Sequence, residues 1–377
     1  MFGAPFDRLS EGTDRKTFAW SEITFFLHPQ YAESFNKGSL NPRFTLLPSR
    51  MAGNMLTYRV DDDDSIRFLG GFTFAPSLLV VALVHHEEEV GWSVSLDART
   101  FGGAGLQTAF YRSRLAVSPF LISDGCSLAF SSDLQDIYLN LNVTSEVLVV
   151  PLVQDAVVRT WDVGLCVFDL FVGGAGTPSE GMVIASSLDG KMVVWDVASS
   201  RPLFRDNPGS RAEPESIFGC AALSPDGRTF ALNSDEGRLY VWDLDRLREG
   251  NVPRCRVFSD STNSINWSLD SSTIIGSNTL NRDVLILRNT ATGVRTLSSL
   301  APLKVGECVA INDAGGAPAY AVTADDDLYI LVSGTQRLLV KGRKRHQMCS
   351  LAYSRERHIL FWLDLFNGKS QVKMIWL

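Results

Sequence analysis

The feature that most limits what this chain can fold into is a pattern that returns about every 46 residues, a period typical of stacked repeat units. A short stretch ending in an apolar residue, then a small or polar residue and an acidic or glycine-containing turn, appears as Ala129-Phe130-Ser131-Ser132-Asp133, Ala222-Leu223-Ser224-Pro225-Asp226-Gly227, Asn266-Trp267-Ser268-Leu269-Asp270, Ala310-Ile311-Asn312-Asp313 and Ala352-Tyr353-Ser354. Thr73-Phe74-Ala75-Pro76 is an earlier copy. Val167-Phe168-Asp169, followed by Gly173-Gly174, is a weaker one. A second mark, a β-rich run, follows at a nearly fixed distance: Trp242 lies 19 residues after Leu223, Leu287 lies 20 after Trp267, and Leu331 lies 20 after Ile311. Between the marks come another apolar run, such as Thr229-Phe230-Ala231-Leu232, and another turn, such as Asp235-Glu236-Gly237. Each unit therefore reads strand, turn, strand, turn, strand, with a more variable fourth strand.

First strands ending near Phe74, Phe130, Phe168, Leu223, Trp267, Ile311 and Tyr353 predict seven units. The last shows three strands before the sequence reaches Leu377, and Met55-Leu56-Thr57-Tyr58-Arg59-Val60 is the natural donor of its fourth. Such a strand closes the ring and removes the sheet edges that otherwise invite pairing with other chains. The expected fold is all-β: a seven-bladed β-propeller over residues 55–377, preceded by an N-terminal extension over 1–54.

Ser187-Leu188-Asp189-Gly190-Lys191-Met192-Val193-Val194-Trp195-Asp196 resembles a WD40 repeat, as does Leu223-Ser224-Pro225-Asp226-Gly227 continued through Val241-Trp242-Asp243. The resemblance implies that an Asp six residues before the Trp ties each blade together through side-chain hydrogen bonds; Asp189 and Trp195 match, and Glu236 stands in that place before Trp242. No blade carries the family's Gly-His pair, and the five histidines are not spaced to supply it. The chain is thus identified as a divergent member whose side-chain network is incomplete in every blade, leaving strand packing to carry stability. Trp161-Asp162 follows the Val147–Val150 run too closely to be a third strand and is expected to end a fourth.

With 45% hydrophobic and 20% charged residues the chain has ample core material. Its net charge of -7 argues against a protein built to coat a phosphate backbone. The longest apolar run, Leu78 to Val84, is too short for a spanning helix. The first residues mix acids with bases and lack a signal's apolar stretch, so cytoplasm or nucleus is the expected location. The six cysteines form no C-x-x-C pair and read as apolar fillers in strands.

Nucleophile-elbow, phosphate-loop and dinucleotide motifs are missing from the sequence, so neither an enzyme nor a cofactor is expected. Phe101-Gly102-Gly103-Ala104-Gly105 and Val172-Gly173-Gly174-Ala175-Gly176 read as flexible loops between strands. His85-His86-Glu87-Glu88-Glu89 reads as a solvated hairpin tip rather than a metal site, because neighbouring strand residues point to opposite faces. The Asp61–Asp64 and Asp325–Asp327 runs read as solvated loops. Lys341-Gly342-Arg343-Lys344-Arg345-His346 is the basic cluster of the chain, falling between two blades. The extension is aromatic, with Phe18, Trp20, Phe25, Phe26, Tyr31, Phe35 and Phe44. It packs on its own propeller or anchors to another protein, since aromatic side chains dominate interface hot spots.

Propellers of the resembled family are mostly rigid, non-enzymatic platforms. The resemblance therefore implies a protein-interaction scaffold within a larger multiprotein complex, with Phe18, Trp20, Phe25, Phe26, Lys341, Arg343, Lys344 and Arg345 as candidate contact residues and Asp189, Trp195 and Trp242 as blade residues. The other expectation is a nucleic-acid-linked factor, ribonucleoprotein, mRNA-export or nuclear-pore associated, that uses the 341–346 loop on phosphate.

Overall fold

Each repeat becomes one antiparallel four-stranded sheet whose strands neighbour one another in chain order, and seven sheets are present among the described residues. The computed structural model describes residues 47–48, 54–59, 66–75, 78–87, 91–102, 105–118, 126–141, 144–153, 156–211, 216–260, 262–278, 282, 284–300, 302–312, 318–324, 326–332, 335–342, 346–366 and 369–377. Blades 1 to 6 occupy 66–118, 127–162, 169–206, 218–259, 262–299 and 305–340. Blade 7 takes three strands from 346–376 and its fourth from Asn54–Arg59, which pairs antiparallel with Lys369–Trp376, Tyr58 opposite Val372. The seven-bladed propeller closed by an N-terminal strand is thus the observed architecture. Leu47–Pro48 adds a fifth strand outside Asn54–Arg59, upstream of where the propeller was expected to begin.

Strand ends fall where the repeat places them, with one exception. Phe130, Leu223 and Trp267 are the last residues of their first strands, and Phe74, Ile311 and Tyr353 the next to last. In blade 3 the first strand is Asp169–Val172, so its end falls at Val172 and not at Phe168. The reason is visible in the turn: Gly173 N–H bonds the Met182 carbonyl at 3.1 Å, as Ser224 N–H bonds the Thr229 carbonyl at 2.8 Å after Leu223. Trp161 and Asp162 close the fourth strand of blade 2, Arg159–Asp162, as expected.

Seven apolar clusters fill the seven seams between neighbouring blades. In Met182–Ser186 the side chains alternate: Met182 and Ile184 pack with blade 4, Val183 and Ala185 with blade 2. Both faces are buried, which is why the middle strands read as unbroken apolar runs rather than alternating ones. The seam between blades 7 and 1 joins Leu363, Val372 and Met374 to Phe72, Leu79 and Val81, so the ring is closed by the same kind of core as the rest. Among the described residues the helical segments are two short 3-10 turns, Pro208–Arg211 and Leu247–Glu249, and no helix is long and apolar enough to cross a membrane.

The inner strands carry a second kind of joint. Register shifts interrupt the first strands of blades 4, 5, 6 and 7 after Phe218, Thr262, Val305 and Cys349. A bulge leaves backbone N–H and C=O groups without ladder partners, and a buried one must be satisfied otherwise. Here side chains of the blade's own second strand contribute, Asn233 Oδ1 accepting from Cys220 N–H at 2.8 Å and Thr323 Oγ1 from Glu307 N–H at 2.9 Å, and side chains of the preceding blade add to them. Asp169 Oδ2 accepts from Ala221 N–H at 3.2 Å, Asn233 Nδ2 donates to the Thr262 carbonyl at 2.5 Å, Ser277 Oγ donates to the Gly306 carbonyl at 2.9 Å, and Glu307 Oε2 accepts from Leu351 N–H at 2.7 Å. Between blades 2 and 3, Ser127 Oγ donates to the Phe168 carbonyl at 2.6 Å. Strand packing therefore does not carry the ring alone; five successive seams are stitched by buried polar side chains.

Candidate functional site

On one face of the ring lie the turns between first and second strands and the connections between third and fourth; on the other lie the second-to-third turns and the crossings between blades. The first face is built on one recurring turn. Ser131, Ser224 and Ser268 donate from Oγ to Oδ1 of Asp133, Asp226 and Asp270 at 2.6, 2.6 and 2.5 Å. Each serine oxygen in turn accepts the N–H five residues on, from Asp136, Thr229 and Thr273, at 2.9 Å. This is the side-chain mimicry of a backbone turn that Ser and Asp favour. The hydroxyl of Ser131 and the N–H of Gln135 hold the Asp133 carboxyl below its usual range, and those of Ser268 and Ser272 do the same for Asp270.

The residue after the Asp is left-handed in all three turns: Leu134 at φ 59, Gly227 at φ 65 and Ser271 at φ 61. At Gly227 a side chain has no room, because a Cβ there would run into Ser179 and Thr177 of the glycine-rich segment of blade 3. That segment is not the flexible loop expected from its sequence. Gly176 N–H bonds Glu180 Oε2 at 2.9 Å, Thr177 Oγ1 donates to the Gly174 carbonyl at 2.7 Å, and Gly173 bridges to Glu180. The glycines are used for close approach, here of Gly173 to Ser179.

Exposed large aliphatic residues are unevenly distributed. Among the described residues Leu134, Val153, Val157, Val252, Val294 and Leu377 lie on the face just described, Val257, Leu297 and Leu338 on outermost strands, and Ile217 alone on the opposite face. This asymmetry gave no signal in the sequence, because surface and core valines look alike until the strands are placed.

Of the expected blade residues, Asp189 lies in a second-to-third turn on the opposite face, whereas Trp195 and Trp242 sit one residue before the ends of their third strands, towards the first face. Asp189 accepts from Ser187 Oγ and pairs with Lys191 Nζ. Burial pushes its carboxyl up, but these bonds outweigh it and leave it lowered. It does not reach the indole of Trp195, whose Nε1 is buried without a hydrogen-bond partner. Trp242 is bound differently: its Nε1 donates to Asp206 Oδ2 at 2.8 Å, across the seam from the end of blade 3. Glu236 pairs with Arg238 at 3.4 Å. A cavity of about 320 Å³ at the edge of blade 3, beside the crossings that enter and leave it, is lined by Leu165, Lys191, Met192, Arg205, Asp206 and Ser210 among others, with Lys191 and Asp206 engaged in the contacts just named.

Of the predicted contact residues, Phe18, Trp20, Phe25, Phe26, Arg343, Lys344 and Arg345 lie outside the described residues. Lys341 is exposed at the end of blade 6. Its neighbour Gly342 donates its N–H to Asp327 Oδ1 at 2.6 Å, which brings the foot of the basic segment against the acidic run. Asp327 opens the strand Asp327–Val332 and is half-buried, so the expectation of a solvated loop fails there. It fails also at His85, which lies inside the strand Leu78–Glu87, buried, with Nε2 at 2.6 Å from Ser95 Oγ. The strand runs three residues further than the tip expected for it.

The sequence matches no family profile. Among solved structures it is similar to the β-propeller domain of Myceliophteria thermophila Cps50 (Swd1), with a TM-score of 0.58 over 89% of this chain and 100% of that one, at 11% identity. At that identity the likeness concerns the fold, a β-propeller.

Proposed function

We propose that the chain is a non-enzymatic protein-interaction scaffold, a subunit of a larger multiprotein assembly in the cytoplasm or nucleus. The observation that supports this is the uneven face: six exposed aliphatic residues on the side of the Ser-x-Asp turns against Ile217 on the other, among the described residues. Three of the six, Leu134, Val153 and Val157, share one corner of blade 2, and grouped apolar surface of this kind supports a contact site for another protein. A ring stitched at its inner seams holds such a face rigid, so a partner meets a preorganised surface. The aromatic residues Phe18, Trp20, Phe25 and Phe26 and the segment at Lys341 are further contact candidates. The acidic residues Asp326 and Asp327 at the foot of that segment favour a protein contact there over a phosphate backbone. The test is association. Native protein purified from its source is expected to travel with partners in a defined complex; a free monomer that captures none refutes the reading.

A further inference from the structure

The exposed aliphatic residues are densest at one corner, where the first-to-second turn of blade 2 meets its third-to-fourth connection. Leu134, Val153 and Val157 are 43%, 60% and 79% exposed. The Asp136–Pro151 pairing continues outward through a bond from Leu152 N–H to the Gln135 carbonyl at 2.8 Å, which sets Val153 across from Leu134. Ala156 N–H bonds the Val153 carbonyl at 3.3 Å, which keeps Val157 at the same corner. Leu152 and Val158 reach down to the core between blades 1 and 2, so the corner stands on a packed base.

Leu134 is the anomaly in this corner. The left-handed position it holds is filled by Gly227 and Ser271 in the sister turns, residues that adopt it at less cost than leucine. Its side chain remains 43% exposed, so the strain is not matched by full burial. A bulky residue kept in a strained conformation and displayed to solvent points to a use outside the fold. The charge around it is also one-sided. Asp136 is paired with Arg159 at 3.1 Å, whereas Asp133 is held ionised by the turn itself and faces no cation among the described residues.

We propose that this corner docks a segment of a partner protein that lays an aliphatic or aromatic anchor against Leu134, Val153 and Val157 and sets a Lys or Arg beside Asp133. The proposal rests on the scaffold reading and narrows it to one surface. A displayed library of twelve-residue peptides, half with an apolar anchor flanked by Lys or Arg and half with the same anchor flanked by Asp or Glu, is selected on the full chain. Two variants serve as comparisons, Leu134→Gly and Val153→Ser/Val157→Ser. The expected result is enrichment of the basic-flanked class, with binding at least tenfold weaker to either variant. Leu134→Gly is expected to melt at or above the wild-type temperature, which separates lost binding from lost folding. Enriched peptides that bind both variants undiminished overturn the proposal and leave the scaffold reading standing, and so does preference for the acidic-flanked class. Concentration-dependent dimerisation abolished by the variants makes the occupant a second copy of the chain and also overturns it. Absence of any enrichment counts against the corner, while the native-complex experiment decides the scaffold reading separately.

Discussion

The seam between blades 3 and 4 and the seam between blades 7 and 1 solve the same problem with different chemistry. The first joins consecutive stretches of chain. Its core is Met182, Ile184, Phe230, Leu232 and Trp242, and its polar joints are separate contacts: Trp242 to Asp206, Ala221 N–H to Asp169, and the half-exposed Arg248 paired with Asp196 at 3.2 Å. The second joins blade 1 to a blade assembled from both ends of the propeller, whose closing strand is held to the rest of blade 7 by the ladder between Asn54–Arg59 and Lys369–Trp376. There the closing strand brings Tyr58, whose hydroxyl donates to Asp97 Oδ2 at 2.7 Å. Asp97 also takes Arg99 Nε at 2.9 Å and Nη2 at 2.7 Å, and the Arg99 guanidinium sits over the Tyr58 ring at 5.9 Å. All three are buried. An apolar core tolerates a strand slipped by two residues, because the same face stays inward. A buried ion pair with a tyrosine donor does not, since a slip leaves charges unpaired. The lesson is that the seam built on the closing strand sets that strand's tyrosine on a buried ion pair, whereas the seam between blades 3 and 4 combines packing with separate polar contacts.

The largest test of this contrast is Asp97→Ala, which strips a buried guanidinium of its carboxylate and is expected to cost about 3–5 kcal/mol in urea unfolding. A loss below about 1 kcal/mol, the size of an exposed pair, removes the claim that this seam is locked by charge.

Next comes pH, which acts on the other seam. Burial raises the Asp169 carboxyl from 3.8 to about 7, with the Ala221 N–H opposing. Folded protein therefore holds this proton more tightly than unfolded, so its stabilising contribution is whole below about pH 4 and is lost as pH rises to about 7, on the order of a few kcal/mol. Asp169→Asn is expected to flatten the fall in stability between pH 4 and 7 relative to wild type; parallel curves for the two proteins refute it.

Asp206→Ala leaves the buried Trp242 indole N–H without its acceptor and is expected to cost about 2 kcal/mol. Trp242→Phe in the same background should then add less than it does in wild type, because the two act as a pair. Smallest is Tyr58→Phe, about 1 kcal/mol for one hydrogen bond to a charged acceptor that keeps Arg99. A double-mutant cycle of Tyr58→Phe with Asp97→Asn measures whether the closing strand is coupled to blade 1; additivity within about 0.5 kcal/mol means it is not.

Much of the fold was legible because the marks at Leu223, Trp267 and Ile311, and the runs that follow them, are set by local alternation and turn chemistry. Met55–Val60 was legible as a donor strand because a unit of three strands leaves an open edge. Phe168 misled because glycines at 173–174 shift the turn of blade 3, and His85 misled because charge and histidine are tip-like until a partner strand buries them. The contact site was less legible. Leu134, Val153 and Val157 carry no motif, and Phe18, Trp20, Phe25, Phe26, Arg343, Lys344 and Arg345, which drew attention in the sequence, lie outside the described residues.

What the sequence determined by itself is the count of blades, the order of strands within them and the donor that closes the ring, since all three follow from spacing along one chain. The tertiary structure alone decided which side chains stitch neighbouring blades and which face shows its aliphatics to solvent. Asp169 meets Ala221 across 52 residues and Tyr58 meets Asp97 across 39. Such pairs depend on how far each blade is rotated against the next, an angle that packing of both faces sets and that no local pattern encodes.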